Sequence, residues 1–372
     1  RVFLGISVSK PDKKHCFLAE WKDASTDTVR HFILNFFTKD STVEMYDIKT
    51  RRIFLRRTEC EDCSLADFYV GSVVPILSRH LKITGYADAQ TETFLSPQHE
   101  RTVLLVKPTS LHRLGDIWSV LEAINATVCK AIMLKLTADD LHAYQALRKD
   151  GDKVLESGFL EGTSVCLQLL GERILSRLKT RSTLSLDPSS DKDVVGCHCW
   201  VSQDEASAEK EARLFFGAHG DRMCSTAVFE DTTCCVIKPH VFRDGTVHKV
   251  LSKILKSGFE ITALQMLYLD GAMADEFLQV YKGIVTDYKG MVHQMSSGPC
   301  LVLEVRGCCG PETPRQFKEL AGPSDPFYAR KLYPGSLRAE FGKDIRRNVV
   351  HCTDVPEDAR LEVEFFFKET EE

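Results

Sequence analysis

No apolar run in this chain is long enough to cross a bilayer, and no secretory signal opens it. A basic excess is also missing: 48 Lys and Arg stand against 53 Asp and Glu, for a net charge of −5. A dedicated nucleic-acid binder carries the opposite bias, so nucleic acid is excluded as the main partner. Zinc-type spacing is incomplete. Cys60-x-x-Cys63 and Cys197-x-Cys199 are each half a site at best, with no second half at matching spacing. The fourteen cysteines are scattered rather than packed into a small framework, which reads as the reduced thiols of an intracellular protein. Arg1 has no methionine before it, so where the natural chain begins stays open.

What is present suits a soluble chain of two or three domains. Over 372 residues the composition is 43% hydrophobic and 27% charged, enough apolar material for separate cores. An internal repeat then organises the sequence. Thr102 to Pro108 (TVLLVKP) returns as Thr233 to Pro239 (TCCVIKP), each an apolar run stopped by Lys-Pro, as a buried strand would be. Helical spacing follows in both, at Ile117, Val120, Leu121 and Ile124, then at Val247, Val250, Leu251, Ile254 and Leu255. A Ser-Gly pair precedes another apolar strand in each, from Ser157 and from Ser297. Both units close on an acidic, then aromatic run, Glu209 to Phe216 and Ala359 to Phe367, read as a final strand. This order predicts an α+β class with two tandem ferredoxin-like (split βαβ) domains, over residues 100–220 and 231–370.

Residues 1–95 differ. Short runs rich in β-branched and aromatic residues, such as RHFILNFF and STVEMYDI, alternate with polar turns and predict a mostly-β module. Tyr86 to Glu100 and Gly217 to Thr232 have the composition of linkers. Arg51, Arg52, Arg56 and Arg57 form a basic cluster, read as a solvated strand face balanced by Glu59, Glu61 and Asp62; the acidic surface of a partner is the alternative. The Cys234-Cys235 and Cys308-Cys309 pairs read as packing residues.

Phosphoryl transfer needs positive charge on the phosphates and a nucleophile held in line. The second repeat carries such a set. Lys238 ends its first strand, Arg338 lies in GSLRAEF, Arg346 and Arg347 follow, and Asn348 stands three residues before His351. Glu362 is placed to orient the imidazole, whose other nitrogen would face the substrate.

The series KP, SGP, GSLRAEF and RNVVHCTD resembles the nucleoside diphosphate kinase family. The resemblance makes His351 the phospho-accepting histidine and Glu362 its partner. Lys238, Arg338 and Asn348 would contact the phosphates and sugar of ADP, ATP or GTP, with Mg²⁺ carried on the bound nucleotide and no metal held by the protein. Ser324 stands where the family has Thr, and Lys318 where it has Arg. Thr353 and Asp354 fall on the family's Ser-Asp. Its His-Gly-Ser reads His351-Cys352-Thr353 here, which adds bulk beside the nucleophile. Tyr281 and Tyr288 are read either as a clamp on the base or as core.

The first repeat keeps Lys107 but has no GSLRAEF and no Asn-x-x-His; counting back from the closing run puts Trp200 at the histidine position, with His198 two residues away. It reads as catalytically dead.

The three-part order resembles axonemal members of this family, in which a doublet-microtubule-associated (DM) module of PH-like fold precedes two kinase-like repeats. That resemblance implies a structural microtubule inner protein of ciliary and flagellar doublet microtubules, located in cytoplasm, cytoskeleton and axoneme. Tubulin, other microtubule inner proteins and the γ-tubulin ring complex are the implied partners. A structural role is the primary expectation, since catalysis alone needs neither a ruined copy nor a β module. Kinase activity through phospho-His351 is the alternative.

Overall fold

A computed structural model describes residues 13–23, 26, 28–60, 63–77, 79–147, 159–181, 198–217 and 225–367. The chain divides into two compact units, Arg1–Pro97 and Gln98–Glu372.

The first unit is mostly β. Strands β1 (Lys14–Asp23), β2 (Thr28–Phe37), β3 (Thr42–Asp47), β4 (Arg52–Glu59), β5 (Val73–Ile76) and β6 (Arg79–Tyr86) form one antiparallel sheet, in the order β4-β3-β2-β1-β6-β5. Period-2 alternation turns Phe32, Leu34 and Phe36 of β2 inward, with Val43, Met45, Leu81 and Ile83 on neighbouring strands. Phe68, in the crossing between the two edge strands, packs its ring on Phe17 and Phe36. The segment read as a linker after Tyr86 is instead helical over Ala89–Leu95. Asp88 caps it through the Thr91 N–H at 2.7 Å, and Thr91 and Leu95, one turn apart, are buried. Polar composition hid a short amphipathic helix. In the basic cluster, Arg52 and Arg56 are exposed, while Arg57 pairs with Asp40 at 2.8 Å and lies over the Phe37 ring.

The second unit holds both repeats on one eight-stranded antiparallel sheet. The first contributes β7 (Glu100–Val106), β8 (Thr127–Leu134), β9 (Ser164–Gly171) and β10 (Cys199–Val201). The second contributes β11 (Thr232–Ile237), β12 (Glu260–Tyr268), β13 (Pro299–Arg306) and β14 (Val350–Cys352). The order β10-β7-β9-β8-β12-β13-β11-β14 is one ferredoxin-like arrangement followed by its mirror, joined where Gln265 of β12 meets Ile132 of β8. Strands β7, β9, β11 and β13 bury both faces along most of their length, which explains the unbroken apolar runs. Cys235 and Ile237 face one core while Cys234 and Val236 face the other.

The two closing runs are helices, not strands: Glu205–Phe216 and Ala359–Phe367. Ala359, Val363, Phe366 and Phe367 recur at i, i+4, i+7 and i+8, a helical stripe that the terminal Phe-Phe-Phe obscured. The fourth strand of each repeat is the short one just before. Residues 218–224 of the second linker lie outside the described residues, as does Ser157 at the first repeat's Ser-Gly pair. The rest of that linker is anchored, because the buried Glu304 carboxylate accepts from the N–H groups of Val228 and Phe229 at 2.8 and 2.6 Å. Cys308 and Cys309 are exposed rather than packed, on the turn that leaves β13.

Helix Leu114–Ala123 of the first repeat packs against helix Val247–Lys256 of the second, and one core runs beneath both. Ile117, Leu121 and Leu167 share it with Val250, Ile254 and Leu303. Gly115 permits the approach: a Cβ there would sit 2.7 Å from Ser252 N and 2.8 Å from its Cα. Backbone cannot yield as a side-chain tip can. Gly115→Ala is therefore expected to lower stability by about 1–3 kcal/mol in denaturant titration. Gly271→Ala, which meets nothing within 4 Å, should stay within roughly 0.5 kcal/mol of wild type.

Candidate functional site

Lys238 follows β11, and Pro239 at the first helical position begins the helix Pro239–Arg243. The Lys238 N–H donates to the Val349 carbonyl at 2.9 Å, which ties this corner to β14. Its ammonium is buried and donates to Asn348 Oδ1 at 2.6 Å. The Asn348 amide in turn donates to the Ser324 carbonyl at 2.8 Å. Lys238, Asn348 and Ser324 thus form one chain of contacts, which Ser324 enters through its backbone. Burial, and then the Arg338 guanidinium, bring the Lys238 ammonium down to about 7.

Arg338 is also buried, and donates to the carbonyls of Gly322 at 2.6 Å and Val350 at 3.0 Å. Its Nε is buried without a hydrogen-bond partner among the described residues. The side chains of Arg346 and Arg347 do not join the cluster, although the Arg346 carbonyl accepts from the Lys238 ammonium at 3.4 Å. Arg346 pairs with Asp287, and Arg347 donates to Asp344 at 2.8 Å.

His351 faces Val236 across the β11–β14 pair. Its Nε2 lies 3.1 Å from Glu362 Oε2, on the helix Ala359–Phe367 rather than on a strand. A carboxylate only accepts, so Nε2 carries the proton and Nδ1 keeps its lone pair. The Thr353 hydroxyl donates to the same Glu362 oxygen at 2.8 Å. Phe277 stands edge-on to the imidazole at 4.9 Å, and Tyr281 at 6.1 Å. Cys352 does not crowd His351. Strand alternation sends it to the opposite face, into the core shared by the repeats.

Lys318 lies at the rim, 3.0 Å from Asp354 Oδ1. Tyr281 donates to Asp354 Oδ2 at 2.7 Å, and Tyr288 donates to Asp275. Burial works to raise the Asp354 carboxyl, but the Tyr281 and Lys318 hydrogen bonds outweigh it and hold it below its ordinary value. Both tyrosines also pack beside the outer core of the second repeat.

His240 escaped the sequence analysis. It is buried, and its Nε2 accepts from the Val349 N–H at 3.3 Å. Val349 has φ +76°, a conformation that costs a β-branched residue about 1–3 kcal/mol. Lys238 and His240 hold it from both sides, and Asn348 and His351 flank it. The one available signal was Lys-Pro-His in this repeat against Lys-Pro-Thr in the first.

The first repeat preserves the frame without the histidine. Lys107 N–H donates to the His198 carbonyl at 2.9 Å, and Trp200 faces Leu105 in the register that His351 keeps with Val236. Ser202 donates to the buried Glu211 at 2.6 Å, as Thr353 does to Glu362. The His198 ring is engaged elsewhere, with Ser110 at 2.7 Å and Arg113 at 3.1 Å.

In class, this arrangement matches the nucleoside diphosphate kinases: that family's model covers residues 231–372, and a DM10 domain model covers residues 7–91. Over its length the chain is 36% identical to nucleoside diphosphate kinase homolog 7 of Rattus norvegicus, covering 96% of this chain and 93% of that protein. Identity to the Mus musculus homolog 7 is 37%, with the same coverage. A shorter match, to the nucleoside diphosphate kinase of Aquifex aeolicus, is 34% identical and covers 37% of this chain and 94% of that one. The chain belongs to the nucleoside diphosphate kinase homolog 7 family.

The buried lysine and histidine set the pH response of this corner. In the fold Lys238 loses its proton near pH 7, against 10.5 for an ordinary lysine. Below pH 7 both folded and unfolded states carry the charge, and the cost of burying it is fully present. That cost disappears as pH rises toward 10.5. Lys238→Met is therefore expected to stabilise the protein by roughly 2–4 kcal/mol at pH 6 and hardly at all by pH 10. His240, brought down to about 4 by burial and then Lys238, adds stability that is lost as pH falls from 6.5 to 4. Denaturant titrations across this range check both; a Lys238→Met effect independent of pH would show that the ammonium stays charged in the fold.

Proposed function

We propose that the second repeat is a nucleoside diphosphate kinase site, set in a chain whose other two parts serve assembly. The observation that carries this reading is the Nε2 contact of His351 with Glu362, on an oxygen shared with Thr353. It leaves Nδ1 as the nucleophile, and Glu362 steadies the ring as charge develops. Lys238 and Asn348 supply a donor cluster for phosphate oxygens, and the Arg338 Nε is a donor that a ligand oxygen would satisfy. In this reading Nδ1 attacks the γ-phosphorus of a nucleoside triphosphate, the diphosphate leaves, and a second diphosphate takes the phosphoryl group back. Lys318 and Ser324 form the rim over the phosphates and sugar.

Mg²⁺ fits this site as part of the nucleotide. The carboxylates beside His351 are committed, Asp354 to Lys318 and Tyr281, and Glu362 to His351 and Thr353. Carried on the phosphates, the ion supplies neutralising charge.

A structural role for the whole chain is supported by the altered first repeat. A tryptophan in the histidine register leaves that position without a nucleophile, yet the strands and helices among the described residues keep the frame. With the DM10 module, that points to surfaces for an axonemal doublet microtubule: tubulin, neighbouring microtubule inner proteins and the γ-tubulin ring complex.

Incubating the full chain with ATP should leave an acid-labile, base-stable phosphate. His351→Ala should abolish it, and Glu362→Gln should reduce it about 10-fold or more through loss of a charge-assisted contact. Label persisting in His351→Ala would move the chemistry elsewhere. His351→Ala should still enter axonemal doublets at near wild-type levels, whereas deleting residues 1–97 should reduce incorporation; the reverse would make phosphorylation the organising function.

A further inference from the structure

Cys60 and Cys63 take no part in the nucleotide site, yet their sulfurs stand 2.6 Å apart. That is only a little beyond the ~2.05 Å of a disulfide bond. It is well inside the 3.5 Å of the neighbouring-residue pair Cys308 and Cys309. Neither Cys60 nor Cys63 is in a disulfide here.

The backbone holds the two thiols in place. Cys60 N–H donates to the Ser41 carbonyl at 3.0 Å, and Cys63 N–H donates to the Cys60 carbonyl at 3.2 Å. Cys60 is half-buried and reachable by a small oxidant, whereas Cys63 is buried. The location gives the pair a role. Cys60 directly follows β4, one edge of the six-stranded sheet, and Cys63 Sγ lies 3.7 Å from the Pro75 carbonyl of β5, the other edge. Cys63 opens the segment that carries Phe68 into the core.

We propose that Cys60 and Cys63 form a reversible redox pair that fastens the start of this crossing, at the end of β4. The oxidant is a peroxide. The Cys60 sulfur attacks one peroxide oxygen, the O–O bond breaks, and water leaves, so that Cys60 becomes a sulfenic acid. The Cys63 sulfur then attacks the Cys60 sulfur, the S–O bond breaks, and a second water leaves. The two thiols give up two electrons and two protons, both accepted by the peroxide. A dithiol reductant reverses the step by thiol–disulfide exchange.

The test uses the full chain with Cys308→Ser and Cys309→Ser, which removes the exposed pair. After hydrogen peroxide, peptide mass mapping should show Cys60 linked to Cys63 with the loss of two hydrogens, and dithiothreitol should restore two alkylatable thiols. In a further Cys63→Ser variant, Cys60 should be trapped as a dimedone adduct. Amides of β4 and β5 that exchange by unfolding of the unit should slow on the order of tenfold when the pair is closed. Cys60 and Cys63 both remaining alkylatable, or Cys60 joining another cysteine instead, would overturn the proposal. Closure without slowed exchange would overturn its role as a fastening.

Discussion

In both repeats a backbone amide at the end of the first strand reaches across to the segment entering the last. Lys238 donates to Val349 in one and Lys107 to His198 in the other, at the same 2.9 Å. That bond sets the register of β14 on β11 and of β10 on β7, and register decides which side chain faces the cleft. A slip of one residue would turn Cys352 outward and put His351 in the core. The side chains differ between repeats while the frame that presents them does not.

The comparison separates what the fold requires from what chemistry requires. A buried glutamate with a hydroxyl donor survives in the first repeat as Glu211 and Ser202, although Trp200 has replaced the group they would orient. Those two residues therefore have a packing role of their own, tying the closing helix to the short last strand. Conversely, the φ of +76° at Val349 belongs to the second repeat, where His240 accepts from that residue's amide. That strained backbone stands two residues before His351.

Much of this was legible in the sequence because both faces of the central strands are buried. The runs TVLLVKP and TCCVIKP had to be apolar without interruption, and Lys-Pro had to end them. The spacing of Val247, Val250, Leu251 and Ile254 announced the helix that meets its counterpart, and Asn-x-x-His marked the site. Three features were hidden. Glu362 looked like part of a strand because three aromatic residues end its helix. Ala89–Leu95 looked like linker because its two buried anchors are few among polar neighbours. His240 showed only as a contrast of Lys-Pro-His with Lys-Pro-Thr, since its role depends on a backbone conformation more than a hundred residues away in sequence. The burial of Cys234 and Cys235 followed from their strand. Cys308 and Cys309, just past one, had no such constraint and lie at the surface.

The packing of helix Leu114–Ala123 on helix Val247–Lys256, with Gly115 set against Ser252, has a consequence in mass action. Two separate ferredoxin-like subunits meeting on such a face would associate according to their concentration, and dilution would part them. Here the peptide chain joins the partners, so each meets the other at an effective concentration set by the connecting segment, whatever the amount of protein in the cell. The second repeat thus keeps its neighbour even where copies are scarce or fixed singly in place. Substitutions in the shared core of the first repeat will also register as changes in the stability of the second, although none of them belongs to the cluster around His351.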